Sequence, residues 1–239
     1  MAAAVAVLVL AGAVLAGLWT GVLHLPYPSR SDFPVQGIDV SNHQGAVDWP
    51  RVKAAGYRFA YVKASEGRTF TDPEYAALSA GARRAGLRVG AYHFFTFCSP
   101  GADQARLFLQ VSGGHQAGDL PPVVDLEFDG NCARRPTPEE FDAEYAAFDA
   151  AVTAGFGRQP IVYTNADFRD RYLATADRRG SVLAQRRLWI RDITGRPAGG
   201  CEKWTFWQYS ATGRVDGVDG RADLDAYCGR DAEFDALTR

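Results

Sequence analysis

From residue 35 onward the hydrophobic period of the chain switches repeatedly between that of a strand and that of a helix. Strand-like runs at 35–40, 57–64, 87–95, 122–128 and 160–164 alternate with helix-like runs at 49–56, 73–85, 101–111, 138–154 and 167–173. Three further strand-like runs, at 188–190, 205–209 and 222–227, follow with little helical material between them. Local chemistry marks the ends. Pro50 and Gly56 bracket the first helix, Asp72 is placed to cap the second, and Gly86 stops it. Gly113-Gly114 ends the third, and Thr137 with Glu140 forms a capping box for the fourth. Repeated βα units argue for a parallel sheet with right-handed crossovers. Five units and three extra strands are enough to close an irregular, TIM-like (β/α)5(β)3 barrel. The competing architecture is an open doubly wound sheet. No Gly-rich phosphate loop follows any strand, which weakens that alternative as a nucleotide binder.

In a parallel barrel the active site lies at the C-terminal ends of the strands. That rule sorts the polar residues. Asp39 ends the first strand; Lys63, Ser65 and Glu66 end the second; Tyr92 and His93 lie toward the end of the third. Asp125 and Glu127 end the fourth, Tyr163 and Asn165 the fifth, Gln208 and Tyr209 the seventh, and Asp223 and Asp225 lie in the eighth. The segment Val123-Val124-Asp125-Leu126-Glu127-Phe128 is the most informative, because acids in an apolar strand are costly to bury unless paired or in a cleft. Spacing i, i+2 puts both on one face with Cα atoms about 6–7 Å apart. Two like charges so close raise one pKa, which suits a glycosidase: one protonated acid beside the leaving oxygen, one ionised group beside the sugar carbon. The plainer explanation is a salt-bridged pair, with Lys63 or Arg191 as partner. Asp39 alone reads as a loop cap, and Asp223 is the same kind of residue on the last strand. In a closed barrel the first and eighth strands are neighbours, so four carboxylates from strands one, four and eight converge.

Other chemistries find less support. There is no HExxH, and His43, His93 and His115 lack ligand-like spacing, so no metal or other cofactor is expected. No GxSxG appears, and Ser65 reads as a loop hydrogen-bonder. The formal net charge is −2 and no lysine or arginine run exists, so no nucleic-acid partner is expected. Flat aromatic faces suit sugar rings, although core packing is the plainer explanation for each of Trp189, Trp204, Trp207, Tyr163 and Tyr209.

Residues 2–25 contain no Asp, Glu, Lys or Arg. An apolar run above ~18 residues reads as a transmembrane helix rather than a secretion signal, whose core is ~7–15 residues. Residues 1–25 are therefore expected to be a hydrophobic anchoring helix, 26–34 a tether stiffened by Pro26, Pro28 and Pro34, and 35–239 the barrel domain. The alternative is secretion after signal cleavage; either way the barrel works outside the cytoplasm. Four cysteines, none in a CxxC pair, suit disulfides in an exported chain. Cys98 and Cys132 follow adjacent strands on one rim, so Cys98 is expected to pair with Cys132, and Cys201 with Cys228.

Seven motifs in order then resemble glycoside hydrolase family 25, the Chalaropsis-type lysozymes. They are Gly37-Ile38-Asp39-Val40-Ser41, Val62-Lys63-Ala64-Ser65-Glu66-Gly67, Gly90-Ala91-Tyr92-His93-Phe94, Asp125-Leu126-Glu127, Tyr163-Thr164-Asn165, Trp207-Gln208-Tyr209 and Ala222-Asp223-Leu224-Asp225. The resemblance implies β-1,4-N-acetylmuramidase action on peptidoglycan glycan strands by a monomer. It implies Glu127 as acid/base, Asp125 as the partner steadying the substrate's acetamido group, and Asp39 and Asp223 as acids that orient substrate and tune the pair. It also implies substrate contacts at Tyr92, Tyr163, Gln208, Trp207 and Lys63. Two positions depart from the family pattern. Arg191-Asp192 stands where Ala and then Tyr are usual, and Asp225 where Asn is frequent.

Overall fold

The structure, a computed structural model, describes residues 10, 12–14, 16–17, 28–174 and 180–239. Its strands are β1 (Gln36–Val40), β2 (Phe59–Glu66), β3 (Phe70–Thr71), β4 (Arg88–Phe94), β5 (Val123–Leu126), β6 (Ile161–Thr164), β7 (Leu188–Arg191), β8 (Phe206–Gly213) and β9 (Ala222–Tyr227). The helices that matter below are α1 (Trp49–Ala54), α2 (Tyr75–Arg84), α3 (Gly101–Ser112), α4 (Pro138–Phe156), α5 (Ala166–Tyr172) and α6 (Asp231–Ala236). The strands pair in the order β1-β2-β4-β5-β6-β7-β8-β9 and back to β1, which closes an eight-stranded barrel; β3 is a short antiparallel flap on β2.

The expected parallel barrel holds from β1 to β8 and breaks at the last strand. β9 runs antiparallel to both β8 and β1. The reason lies in the connections. A parallel crossover needs a dozen or more residues, as between β7 and β8, whereas an antiparallel return needs only a loop. Residues 214–221 provide that loop.

Period-2 alternation divides the apolar side chains into two layers. Ile38, Val62, Val89, Val124 and Val162 point outward against Val52, Leu78, Phe108, Phe148 and Phe168 of the helices. Phe59, Tyr61, Val123, Ile161, Trp189, Phe206 and Tyr227 point inward, and Phe234 of α6 closes them from below. Phe234 lies 5.5 Å from the Phe59 ring and 5.3 Å from that of Tyr227. The lower barrel is thus an aromatic floor. Gly37 and Gly90 make room for it: a Cβ there would meet the Phe59 ring at 2.3 Å and the Tyr61 ring at 2.1 Å.

Helix ends follow the sequence signals with one exception. Thr137 and Glu140 form the capping box of α4. Asp72 does not cap α2, whose N-cap is Glu74. Its Oδ1 instead accepts from the Glu74 backbone N–H and its Oδ2 from that of Asn42, tying two rim loops together at 2.9 Å each. Both expected disulfides are present, Cys98–Cys132 and Cys201–Cys228. The anchor expected over residues 1–25 falls largely outside the described residues. Among those described, no helix is long and apolar enough to cross a membrane.

Gly90→Ala should destabilise the barrel by about 1–3 kcal/mol, the range for overpacking a tight interior. Urea unfolding would read this as a lower midpoint at unchanged slope; an unmoved midpoint would mean the Tyr61 ring yields freely.

Candidate active site

The polar layer sits one strand period above the aromatic floor. Counting two residues up each parallel strand leads from Tyr61 to Lys63, from Val123 to Asp125, from Ile161 to Tyr163, from Trp189 to Arg191 and from Phe206 to Gln208. The same step leads from Gly37 to Asp39 and from Gly90 to Tyr92. On β9 the count runs backwards, from Tyr227 to Asp225 and then to Asp223, because that strand points the other way. Asp223 therefore lies opposite Asp39, and Asp225 lies one layer lower, opposite Gly37. Glu127 follows directly after β5, and its carboxyl meets Asn165 and lies under the influence of Arg191 and Asp223.

A chain of hydrogen bonds fixes this layer. The Tyr163 hydroxyl donates to Gln208 Oε1 at 2.9 Å, and Gln208 Nε2 donates to Asp39 Oδ2 at 2.8 Å. Asn165 accepts from the Phe168 N–H as the N-cap of α5, which aims its amide back into the barrel. Its Nδ2 donates to Glu127 Oε2 at 3.4 Å. Glu127 thus takes its position from two neighbouring strand ends. Asp125 Oδ1 is buried and has no hydrogen-bond partner among the described residues.

Burial dominates the electrostatics. It raises the Glu127 carboxyl to about 7; the Arg191 guanidinium opposes this, Asp129 and Asp223 add to it, and the Asn165 hydrogen bond opposes it. It raises Asp223 to about 6, again against Arg191. Asp39 is pushed well above the usual carboxylate range by burial and by Asp223, and Asp125 by burial and by Glu127, against the Lys63 ammonium. These acids titrate as a group, so the mouth keeps protons at a pH where an isolated carboxyl would have lost them.

Asp39, Asp125, Glu127, Asp223, Tyr92, Tyr163 and Gln208 are therefore brought together, as anticipated. Lys63 reaches the same interior, but its ammonium is held by Glu66 at 2.6 Å, between the rings of Phe94 and Phe70. It does not pair with Asp125. Trp207 does not join the site. It lies on the outer face of β8, buried with Phe33, Trp204 and Ala226, and its Nε1 donates to the Asp192 carbonyl at 2.7 Å. Adjacent residues of a strand face opposite ways, so Trp207 and Gln208 cannot both look inward. Asn165, expected on the rim but given no role there, and Arg191, expected only as an ion-pair partner of the acids, both belong in the site. For Arg191 the signal was a cation ending the apolar run Leu188-Trp189-Ile190; for Asn165 it was a strand end that also begins a helix. Among the described residues no cluster of His, Cys, Asp and Glu is arranged to hold a metal ion.

The comparison with known proteins agrees with this geometry. The sequence profile of glycosyl hydrolases family 25 matches residues 38–218. The chain belongs to that family. Lysozyme M1 of Streptomyces globisporus is 36% identical over 85% of this chain and 71% of its own length. The N,O-diacetylmuramidase of Chalaropsis sp is 32% identical over 74% of this chain and 88% of its own. A solved family 25 glycosyl hydrolase from Bacillus anthracis superposes with a TM-score of 0.77 at 30% identity, covering 91% of this chain and 97% of that one.

In this family 25 hydrolase Arg191 is the cation that most strongly restrains both Glu127 and Asp223. Arg191→Ala should raise both carboxyls, since the opposing positive charge is gone. The alkaline limb of the pH–activity profile then moves to higher pH. A limb that stays in place would show that Arg191 does not act on the titrating group.

Proposed function

We propose that this glycoside hydrolase cuts the β-1,4 bond between N-acetylmuramic acid and N-acetylglucosamine in peptidoglycan, with Glu127 as acid and base and Asp125 assisting the substrate's own acetamido group. The observation that carries the reading is the pair itself. Glu127 keeps its proton to about 7, and two residues before it Asp125 offers a buried oxygen that no group among the described residues bonds.

The chemistry follows from these two positions. Glu127 gives its proton to the bridging oxygen as the bond from that oxygen to the muramic C1 breaks. The acetamido carbonyl oxygen of the same sugar forms a bond to C1, and positive charge spreads over the new ring. Asp125, ionised while Glu127 holds the pair's proton and no longer repels it, accepts the acetamido N–H and stabilises that charge in a dry mouth, where such a contact is worth more than in water. The shortened glycan leaves as an alcohol. Glu127, now a carboxylate, takes a proton from water, whose oxygen attacks C1 and reopens the ring. Asp39 and Asp223 orient the substrate and keep the pair's protons in place. Tyr92 and Tyr163 line the same interior as phenols held neutral by burial. The family and the relatives named lysozyme and N,O-diacetylmuramidase support this reading. The two disulfides support work outside the cytoplasm, where such bonds persist.

The wild type should clear a peptidoglycan suspension, and Glu127→Gln should clear it more slowly by at least about 100-fold, the typical worth of general acid catalysis. Mass spectrometry of the products should find muramic acid at the new reducing ends. Glucosamine ends would mark a chitinase-like cut. A chain that binds the wall but clears it in neither form would be a binding module.

The acid step also fixes the sign of the pH dependence. Glu127 must be protonated to act, so kcat/KM should fall as pH rises through about 7. A rate rising through that range would remove Glu127 from the role of acid.

A further inference from the structure

One buried acid in this barrel is left without a task by the chemistry above. Asp225 is fully shielded from solvent, one layer below the mouth. Its Oδ1 accepts from the Trp189 indole N–H at 3.0 Å. No donor among the described residues reaches its Oδ2, which is also buried. Asp39 lies within hydrogen-bonding reach of Asp225 across the β1–β9 pairing. Asp39 already accepts from Gln208, and it faces Asp223. Two ionised carboxylates touching in a dry interior would leave one oxygen with neither donor nor counter-ion, which is the most costly state a buried polar group can take.

We propose that Asp225 is a neutral carboxylic acid whose O–H donates to Asp39, so that it serves as a positioning residue holding Asp39 ionised and fixed beneath the mouth. The proton satisfies both oxygens at once: Oδ1 keeps the Trp189 donor, and Oδ2 becomes a donor itself. It resides on Asp225 rather than Asp39 because Asp225 is the deeper of the two and Asp39 carries the Gln208 amide donor. The groups facing Asp225 agree. Inside the barrel they are Asp39 from β1, Tyr61 from β2, Trp189 from β7, Gln208 from β8 and Asp223 from its own strand; Tyr57 and Tyr209 lie on the outer side of the sheet and act on it only at a distance. No cation stands among the groups acting on it most strongly, and burial, Asp39 and Asp223 all raise its pKa. Asp39 thus receives hydrogen bonds from two directions, which sets the carboxylate that faces Asp223. The part of the proposal that concerns substrate rests on the muramidase reading; the proton itself does not.

The test is Asp225→Asn, whose amide supplies an N–H in place of the O–H, beside Asp225→Leu, which supplies nothing. In infrared difference spectra at about pH 9, above the Glu127 value, the wild type should show a protonated-carboxyl band that the Asn variant lacks. The stability of the Asn variant relative to wild type should grow as pH rises from about 4 to about 8. In that window the native wild type binds a proton at Asp225 that its unfolded chain has released, so it loses stability with rising pH beyond the loss that both chains share through Glu127, Asp223 and the other raised acids. On peptidoglycan the Asn variant should keep kcat/KM within about threefold, whereas the Leu variant should lose about 10- to 100-fold, the worth of one hydrogen bond to a charged group. An unchanged infrared band, a flat stability difference, or an Asn variant as impaired as the Leu variant would overturn the proposal. The first two readouts decide the proton even if the chain cuts no glycan. Should the Asn variant fail to fold, 13C-aspartate-labelled wild type decides: an Asp225 carboxyl carbon at the shift of a protonated acid at about pH 9 supports the proposal, and one at the ionised shift refutes it.

Discussion

The contact between β1 and β9, with Asp39 opposite Asp223, is the seam on which this molecule depends. It closes the barrel, and because β9 runs backwards it also decides which of that strand's acids reaches the mouth. Had β9 run parallel, the two-residue step would have lifted Asp225 and sunk Asp223. Closure removes both free edges of the sheet, so the interior has no lateral access for water. Carboxyls that would be ordinary on a surface are forced to hold protons there. The same desolvation that raises Glu127 to about 7 raises its neighbours, and it is opposed by few cations: Arg191 from β7, and Lys63 at one remove through Glu66.

Such a layer works against folding. Several acids in one barrel end repel one another, and each gives up hydration. The compensation is the packing beneath and around them. Phe59, Tyr61, Trp189, Phe206 and Tyr227 form a continuous aromatic block under the polar layer, and the helices bury the outward valines. The rim is tied covalently as well, since Cys98–Cys132 joins the loops after β4 and β5, the latter directly beyond Glu127. The strain of the site is thus carried by parts of the fold that take no part in chemistry, a division common to enzymes whose sites contradict local preference.

Much of this was legible in the sequence, and for identifiable reasons. Switching periods and helix-end residues located the strands and helices of the βα units, because those signals are local. The acids were legible because each interrupts an apolar strand near one end, where only a cleft tolerates it. The direction of β9 was not, since an alternating pattern reads the same both ways along a strand. Nor was the side taken by Trp207: a neighbouring Gln208 facing inward excludes it, but which of the two faces in depends on register, which is set by pairing and not by the residues themselves. Asp72 was read as a cap from its position before a helix, whereas a tertiary partner, the Asn42 amide, claims its second oxygen. Lys63 was placed correctly in depth but not in partnership, because a pair three residues apart, Lys63 and Glu66, wins over a more distant one.

The aromatic floor has a further bearing on how a polymer meets this protein. With Phe234 and its neighbours filling the far end, the barrel is a cup and not a tube. A long glycan has no way to pass through, and one chain end gains nothing by entering first. Under the proposed activity it would lie across the rim like a rope over a bowl, with any internal linkage above the acids as accessible as a terminal one. On the proposed reading, a cup of this kind would meet strands in the middle and let both halves lift away through the opening by which they arrived.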